Sequence, residues 1–286
     1  MNFILTIQNM MRNLVQILES LVRILLLSKW RISIPKIKSS KPLAILANGP
    51  SLINDMTNFP IDQHELLCVN HFPTTALFQK LKPAYYVTAV PELWIDNVDE
   101  RYIAQRMALW NAFSSSVNWP MTLFIPFESR SNREWTNLSA VNANITVCYF
   151  NNVPVEGPTW FSFWGFKKNL GMPRPHNVLV PSLMLGLNMG YKNIDLIGVD
   201  HSWLPEISVS NTNEVLLNQK HFYDEGSSKH QPMDIKGKGK RNLSQVLYKF
   251  MHTFAGYYTI EKYAHHLRSK IKNCTKGSFI DAFERG

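Results

Sequence analysis

The sequence has few cysteines and no pair of them at metal-binding spacing. Cys68, Cys148 and Cys274 lie far apart along the 286 residues. This odd, scattered set excludes a disulfide framework and a structural zinc site. Cys68 and Cys148 lie within short apolar runs, so we expect them to be buried strand residues. The pattern favours a reducing, cytoplasmic compartment.

A long apolar run is also missing. The N-terminal segment is apolar, but polar residues from Gln8 to Arg23 interrupt it and no basic cluster precedes it. A bilayer span needs about 20 apolar residues in succession, so we predict neither a membrane span nor a signal peptide. The apolar positions recur every three or four residues, at Ile4, Ile7, Met11, Leu14, Leu18, Leu21 and Leu25. This spacing predicts an amphipathic helix.

Charge is sparse outside that segment. Charged residues make up 18% of the chain, and the formal net charge is +9. Residues 1–41 contain seven basic residues and a single acidic one, Glu19, so most of the excess is N-terminal. Nucleic-acid-binding domains spread basic charge over a folded face, so nucleic acid is not an expected partner.

Three interpretations of residues 1–41 remain open. The helix could lie on an anionic membrane surface with Trp30 at the headgroups, which would make the protein peripheral on the inner membrane face. It could instead form a homo-oligomer through a coiled-coil seam. It could also pack on its own domain. Residues 33–41 are predicted to be a basic linker.

From residue 42 onward, short apolar runs alternate with helix-like stretches. The runs lie at residues 43–47, 66–70, 85–89, 121–125, 145–149 and 194–199. Buried strands separated by helices predict one α/β domain over residues 42–286, with a mainly parallel sheet and helices on both faces. In such a Rossmann-like fold, the ligand lies beyond the carboxyl ends of the strands.

The first run leads directly into Asn48-Gly49-Pro50-Ser51. Gly49 permits a sharp turn close to a ligand, and Ser51 is predicted to cap the following helix. Free N–H groups at a helix start favour phosphate, so this turn is a candidate nucleotide loop. Neither GxGxxG nor GxxxxGK[ST] occurs in the sequence, and a plain strand–helix turn is the alternative.

Polar residues follow other predicted strands as well. Asn70 follows the second, Asp200 and Ser202 follow the run at 194–199, and Asn273 and Ser278 follow the last. Because the carboxyl ends of parallel strands meet at one edge of a sheet, these are candidate substrate-binding residues.

Two stretches resemble a known family. Residues 45–52 read Ile-Leu-Ala-Asn-Gly-Pro-Ser-Leu and are followed by Cys68-Val69-Asn70. Residues 190–200 read Gly-Tyr-Lys-Asn-Ile-Asp-Leu-Ile-Gly-Val-Asp. Over residues 42–285 the pattern resembles the CMP-sialic-acid-dependent sialyltransferases of glycosyltransferase family 42. It is also similar to the related motility accessory proteins and to the archaeal 6-hydroxymethylpterin pyrophosphokinases.

The resemblance implies a GT-A-type fold and an inverting transfer from a CMP-activated sugar, sialic acid or a related keto sugar. The acceptor would be a cell-surface glycan or a lipid-linked glycan. Asn48 and Ser51 would hold the nucleotide phosphates or ribose, Asn70 the nucleotide or sugar, and Arg174 the donor. The family's general base is a histidine on a mobile segment after the Gly-x-Asp strand, which corresponds here to a lid-like insertion at about 201–242.

Transfer needs a base for the acceptor hydroxyl and stabilisation of the departing phosphate. No D-x-D carboxylate pair occurs in the sequence, so we expect a metal-independent mechanism without a cofactor. His221 is the favoured base, since Asp224 or Glu225 could orient its ring. His230 is the second candidate and His201 the third. Tyr223 is the nearest tyrosine that could assist the departing phosphate.

Two other functions remain possible. A pterin-type diphosphotransferase would use ATP and Mg²⁺ and would need carboxylates near the phosphate loop, where Asp55 and Asp62 are found. A non-catalytic nucleotide-binding scaffold would assemble through the N-terminal helix. The basic loop at 236–241 would be a solvated connector or a contact for a phosphorylated acceptor. The aromatic run at 159–166 would be an acceptor platform, a lid, a membrane contact or part of the core.

Overall fold

A computed structural model describes residues 2–37, 39–96, 98, 100–224, 228–233 and 239–286. The helices are α1 (Asn2–Leu27), α2 (Leu52–Met56), α3 (Ala76–Leu81), α4 (Glu100–Asn111), α5 (Arg133–Thr136), α6 (Leu138–Val141), α7 (Thr159–Lys167), α8 (Leu179–Met189) and α9 (Leu243–His266). The strands are β1 (Leu43–Leu46), β2 (Glu65–Val69), β3 (Tyr85–Val87), β4 (Met121–Pro126), β5 (Ile145–Phe150), β6 (Asn193–Ile197), β7 (Ile207–Val209), β8 (Val215–Leu217), β9 (Gln231–Pro232), β10 (Lys270–Asn273) and β11 (Glu284–Arg285).

Eight strands form one parallel sheet in the order β11-β10-β6-β1-β2-β3-β4-β5. The chain runs outward from β1 to β5 and then returns to the other side of β1 as β6. This reversal creates a switch point between β1 and β6, and open α/β sheets bind their ligands at such a point, beyond the carboxyl ends of the strands. The predicted Rossmann-like α/β fold with a mainly parallel sheet is confirmed.

Both faces of the sheet are covered by helices. Within β1, Leu43 and Ile45 belong to a core cluster that also contains residues of α7, α8 and α9. Ala44 and Leu46 belong to a second cluster with residues of α2, α3 and α4. Successive side chains of a strand point to opposite faces, so the two clusters lie on opposite sides of the sheet. This double burial explains why the strands read as continuous apolar runs.

The predicted lid segment contains a small antiparallel sheet of β7, β8 and β9 that the sequence did not indicate. These strands are only two or three residues long, and β7 is mostly exposed, so they carry no clear apolar alternation. Val215 and Leu217 of β8 pack against Val246 and Phe250 of α9. The lid segment is therefore seated on the first turns of α9.

Helix α1 packs on the domain mainly through residues of its second half. Ile24 is 1% exposed and lies in the main core cluster, together with Ile34 of the predicted linker. Ser20 Oγ donates to the Glu156 carbonyl at 2.9 Å, and Lys29 N–H donates to Asn151 Oδ1 at 2.8 Å. The opposite side carries exposed apolar residues, among them Ile4, Ile7, Met11, Leu14, Leu18 and Leu25. None of the described helices is long and apolar enough to cross a membrane.

Candidate functional site

The turn after β1 lies against the carboxyl end of β6 at the switch point. Gly49 N–H donates to the Gly198 carbonyl at 2.9 Å. A Cβ atom at Gly49 would lie 1.9 Å from Asp200 Oδ2 and 2.4 Å from the Gly198 oxygen. Gly49 is therefore required by the close approach of the protein's own carboxylate and backbone.

Ser51 joins two carboxylates at this turn. Its Oγ lies 2.7 Å from Asp55 Oδ2 and 2.9 Å from Asp200 Oδ2, and its N–H donates to Asp200 Oδ2 at 3.4 Å. The prediction that Ser51 caps α2 is wrong, because its hydroxyl makes no cap bond. The Asp200 carboxylate itself contacts the backbone N–H that we expected to receive a nucleotide phosphate.

The carboxylates of Asp55 and Asp200 determine the charge of the turn after β1, which we call the Asp55–Asp200 corner. Burial raises the pKa of Asp200, and the nearby charge of Asp55 raises it further, while the bonds from Ser51 oppose the shift. A serine hydroxyl has one hydrogen, so it satisfies only one of the two acceptors at a time. The corner suits hydroxyl groups of a ribose or sugar better than it suits a phosphate. Among the described residues, no group of three His, Cys, Asp or Glu is arranged to hold a metal ion.

Unpaired amide oxygens lie at the ends of two neighbouring strands. Asn48 is 7% exposed, and its Nδ2 donates to the Val69 carbonyl at 3.2 Å. Within the described part of the chain, Asn48 Oδ1 and Asn70 Oδ1 are buried without a hydrogen-bond partner. Asn70 also holds a left-handed backbone with φ of 48°. Buried acceptors left unpaired are costly, and a donor on a ligand would satisfy them.

The segment around His221 docks on this edge of the sheet. Phe222 N–H donates to the Asn48 carbonyl at 3.0 Å, and its ring lies 5.8 Å from the ring of Phe72. Burial and the Asp224 charge raise the pKa of Tyr223, and a hydrogen bond from the Asn48 side chain to the Tyr223 oxygen opposes this shift. Tyr223 therefore stays protonated and can act as a hydrogen-bond donor.

His221 carries an orienting carboxylate. Asp224 Oδ2 lies 3.2 Å from His221 Nδ1 and accepts the His221 N–H at 2.6 Å. The imidazole stacks on the Tyr223 ring with 5.1 Å between the two ring centroids. The His221 side chain is 38% exposed. When Nδ1–H donates to Asp224, the lone pair lies on Nε2, which is the tautomer that a general base requires.

Our sequence-based selection of site residues omitted His71 and did not connect Asp55 with Asp200. Burial lowers the pKa of His71, and the charge of the nearby His221 lowers it further. His71 directly follows Asn70 at the end of β2, so its place at a strand exit was the available signal. Asp55 gave no comparable signal, because 144 residues separate it from Asp200 in the sequence.

Three predicted binding residues are engaged elsewhere. Arg174 binds Glu156 through Nε at 3.0 Å and a terminal nitrogen at 2.5 Å. Asn273 Nδ2 donates to Ser278 Oγ at 3.0 Å, and Ser278 Oγ donates to the Val199 carbonyl at 2.6 Å. Both side chains are buried. Asn273 and Ser278 thus hold together the turn beside the β6 exit.

The remaining predicted residues lie in different surroundings. His201 is buried, and its Nε2 lies 2.5 Å from the Tyr257 hydroxyl oxygen. Burial lowers the pKa of His201 to about 3. The His230 side chain is 45% exposed and lies 3.8 Å from Glu206. Ser202 is partly exposed in the turn after His201, and Pro50 precedes Ser51 in the β1 turn. Glu225 and residues 236–238 of the basic loop lie outside the described residues.

Comparison with known proteins gives only distant structural likeness. No family model matches this sequence, and no curated protein matches it. The solved structure of the MAf glycosyltransferase from Magnetospirillum magneticum AMB-1 aligns with 95% of this chain at 12% identity and a TM-score of 0.45. This chain spans 38% of the length of that protein. Likeness at this level does not assign an activity.

Proposed function

We propose that this chain is a metal-independent, inverting glycosyltransferase that moves a sugar from a CMP-linked donor to a glycan or lipid-linked glycan. One observation carries the proposal: the His221–Asp224 pair is docked, through Phe222, on an Asn48 whose buried side-chain oxygen has no partner among the described residues. A base candidate and a buried, unsatisfied acceptor thus lie together at the carboxyl edge of the sheet. The sequence resemblance supports CMP as the nucleotide.

The chemistry follows from these groups. Asn48 Oδ1 and Asn70 Oδ1 accept hydrogen bonds from the nucleoside, and the Asp55–Asp200 corner accepts from sugar or ribose hydroxyls. His221 Nε2 takes the proton of the acceptor hydroxyl as its oxygen bonds to the donor sugar. CMP leaves with the electron pair of the broken sugar–phosphate bond. The Tyr223 hydroxyl donates a hydrogen bond to the departing phosphate.

The first prediction concerns CMP binding. Asn70→Gly keeps the left-handed backbone and removes the unpaired amide oxygen, so we expect the Kd for CMP to rise about tenfold, the loss of one hydrogen bond. Asn213→Gly is the matched control, because Asn213 also has a positive φ, of 60°, but lies in an exposed turn. Calorimetric titration of both variants measures the difference. Equal CMP affinity in the two variants would contradict a nucleotide-binding role for Asn70.

The Asp55–Asp200 pair favours a second candidate, diphosphate transfer from ATP. Paired carboxylates beside a strand–helix turn are suited to Mg²⁺ carrying a nucleotide triphosphate. The same titrations distinguish the two functions when ATP with Mg²⁺ and CMP with a chelator are compared. Selective binding of CMP that survives the chelator supports the glycosyltransferase, and selective binding of ATP that needs Mg²⁺ supports the diphosphotransferase.

We further propose that α1 holds the protein on an anionic membrane surface, peripheral on the cytoplasmic side. The helix leaves Leu14, Leu18 and Leu25 at least 51% exposed. The basic residues of the first 41 positions outnumber the single acidic one, which complements anionic headgroups. Because Ile24 is part of the core and Ser20 binds the Glu156 backbone, deletion of residues 1–33 would damage the fold, and surface substitutions are the suitable test.

For the membrane proposal we expect the triple variant Leu14→Ser, Leu18→Ser and Leu25→Ser to lose vesicle binding. Each buried leucine contributes about 1.5–3 kcal/mol, so partition should fall more than about a hundredfold. Sedimentation with phosphatidylglycerol vesicles measures this. The control is Ile103→Ser, Met107→Ser and Val141→Ser, which changes exposed apolar residues outside α1. Equal binding by both triples would contradict the proposal, and conversion of a dimer to a monomer by the leucine triple would favour oligomerisation.

A further inference from the structure

A second group of polar side chains lies near the loop that follows β6, on the side of α8 and α9. His176 lies just before α8, and its ring is 6.0 Å from the ring of His252 on α9. The next residue, Asn177, places its Nδ2 3.2 Å from Nε2 of His201, the residue that follows Asp200. Lys249 of α9 places its Nζ 4.0 Å from Met233 Sδ. The group therefore adjoins the loop that follows β6.

Two nitrogens of this group have no hydrogen-bond partner among the described residues. Both Arg241 Nε and His176 Nε2 are buried, and neither atom forms a hydrogen bond with the described part of the chain. No described carboxylate forms an ion pair with Arg241 or Lys249. Native proteins rarely leave buried charged groups unpaired, because the desolvation is costly. An anion would satisfy these atoms.

The local electrostatics agree with an anion site. Burial and, to a smaller extent, the nearby Lys249, Arg174, His252 and Arg241 together lower the pKa of His176 to about 4. Burial also lowers the pKa of Lys249, and Arg241 adds to this shift while Glu92 opposes it. Arg174 is already neutralised by Glu156. Positive charge thus concentrates on Arg241 and Lys249, beside a neutral His176 and with Glu92 as an acidic neighbour.

We propose that Arg241, Lys249 and His176 form a phosphate-binding subsite of the transferase proposed above. The subsite complements the Asp55–Asp200 corner, where negative charge disfavours a phosphate. Two sources share this chemistry: the phosphate of the nucleotide donor and a phosphate carried by a lipid-linked acceptor. Either one would bring the substrate's charge to the same edge of the sheet as His221.

The test uses the full-length protein and inorganic phosphate, without CMP. The imidazole resonance of His176, assigned with His176→Gln, is followed by NMR as phosphate is added at constant ionic strength. We expect phosphate to raise the pKa of His176. Lys249→Gln and, separately, Arg241→Gln should weaken phosphate binding at least about tenfold, the loss of a charged contact. The matched control, Lys262→Gln, removes an exposed charge from the same helix and should leave binding unchanged.

Each outcome decides a question. The subsite is refuted if phosphate leaves the His176 resonance unchanged. It is also refuted if the Lys249→Gln and Lys262→Gln proteins bind phosphate with equal affinity. If saturating CMP abolishes the phosphate response, the subsite holds the donor phosphate. If the response persists with CMP bound, the subsite holds a phosphate of the acceptor. A protein that binds phosphate at His176 but binds no CMP keeps the subsite and loses the proposed function.

Discussion

Replacing His221 by alanine is expected to lower kcat for sugar transfer by about 10²- to 10⁴-fold, the usual contribution of a general base. The acceptor hydroxyl would lose the nitrogen that takes its proton, whereas the nucleotide contacts of Asn48 and Asn70 would remain. Affinity for CMP should therefore change little. Steady-state transfer rates with a CMP-linked sugar, together with calorimetric titration of CMP, separate the two effects.

Two other histidines serve as controls for this prediction. His265 lies on α9 with its side chain 75% exposed, so His265→Ala should retain full turnover. His230→Ala distinguishes the second candidate base from the first. Unchanged turnover in His221→Ala would remove His221 from the mechanism, and a loss confined to His230→Ala would transfer the role to His230.

Replacing Gly49 by alanine is expected to destabilise the fold by more than about 3 kcal/mol, the upper part of the range for overpacking. The new methyl group would collide with Asp200 Oδ2 at 1.9 Å and with the Gly198 carbonyl at 2.4 Å. The second collision is with backbone, which no side-chain rotation can relieve. Chemical denaturation monitored by circular dichroism measures the loss.

The matched control for Gly49 is the buried glycine of α9, Gly256. There a Cβ would meet only Pro173 Cβ, at 3.8 Å, which is an ordinary contact. Gly256→Ala should therefore stabilise the protein by about 0.5–1 kcal/mol through helix propensity. Adding Asp200→Ala to Gly49→Ala should recover only part of the loss, since the carbonyl collision remains. A Gly49→Ala protein as stable as the wild type would refute the close packing of this turn.

The sheet could be predicted from the sequence because its strands are buried on both faces. β1, β2 and β6 read as apolar runs for that reason, and their predicted ends differ from the observed ones by no more than two residues. The strands β7 and β9 escaped prediction because they are short and mostly exposed, and an exposed strand of two or three residues carries no apolar signal.

Pairing between distant side chains was harder to predict. Residue order placed Asn48, Asn70 and Asp200 at strand exits, as parallel topology requires. It did not reveal that Asp200 would contact Ser51 or that Glu156 would bind Arg174. Those partners depend on how loops fold over the sheet edge, and loop conformation leaves little periodic trace in a sequence.

Glu156 contacts both the helix proposed to bind the membrane and the loop that leads into the proposed phosphate subsite. Its carboxylate accepts both Arg23 of α1 and Arg174 of the loop before α8, and although burial opposes ionisation, the two guanidinium groups hold its pKa below the usual range. One acidic side chain thus connects α1 with the loop that leads into His176. Linkage between sites is reciprocal. If α1 binds a lipid surface as proposed, that binding would also order the loop before α8. Substrate binding near His176 would in turn raise the affinity of α1 for the membrane.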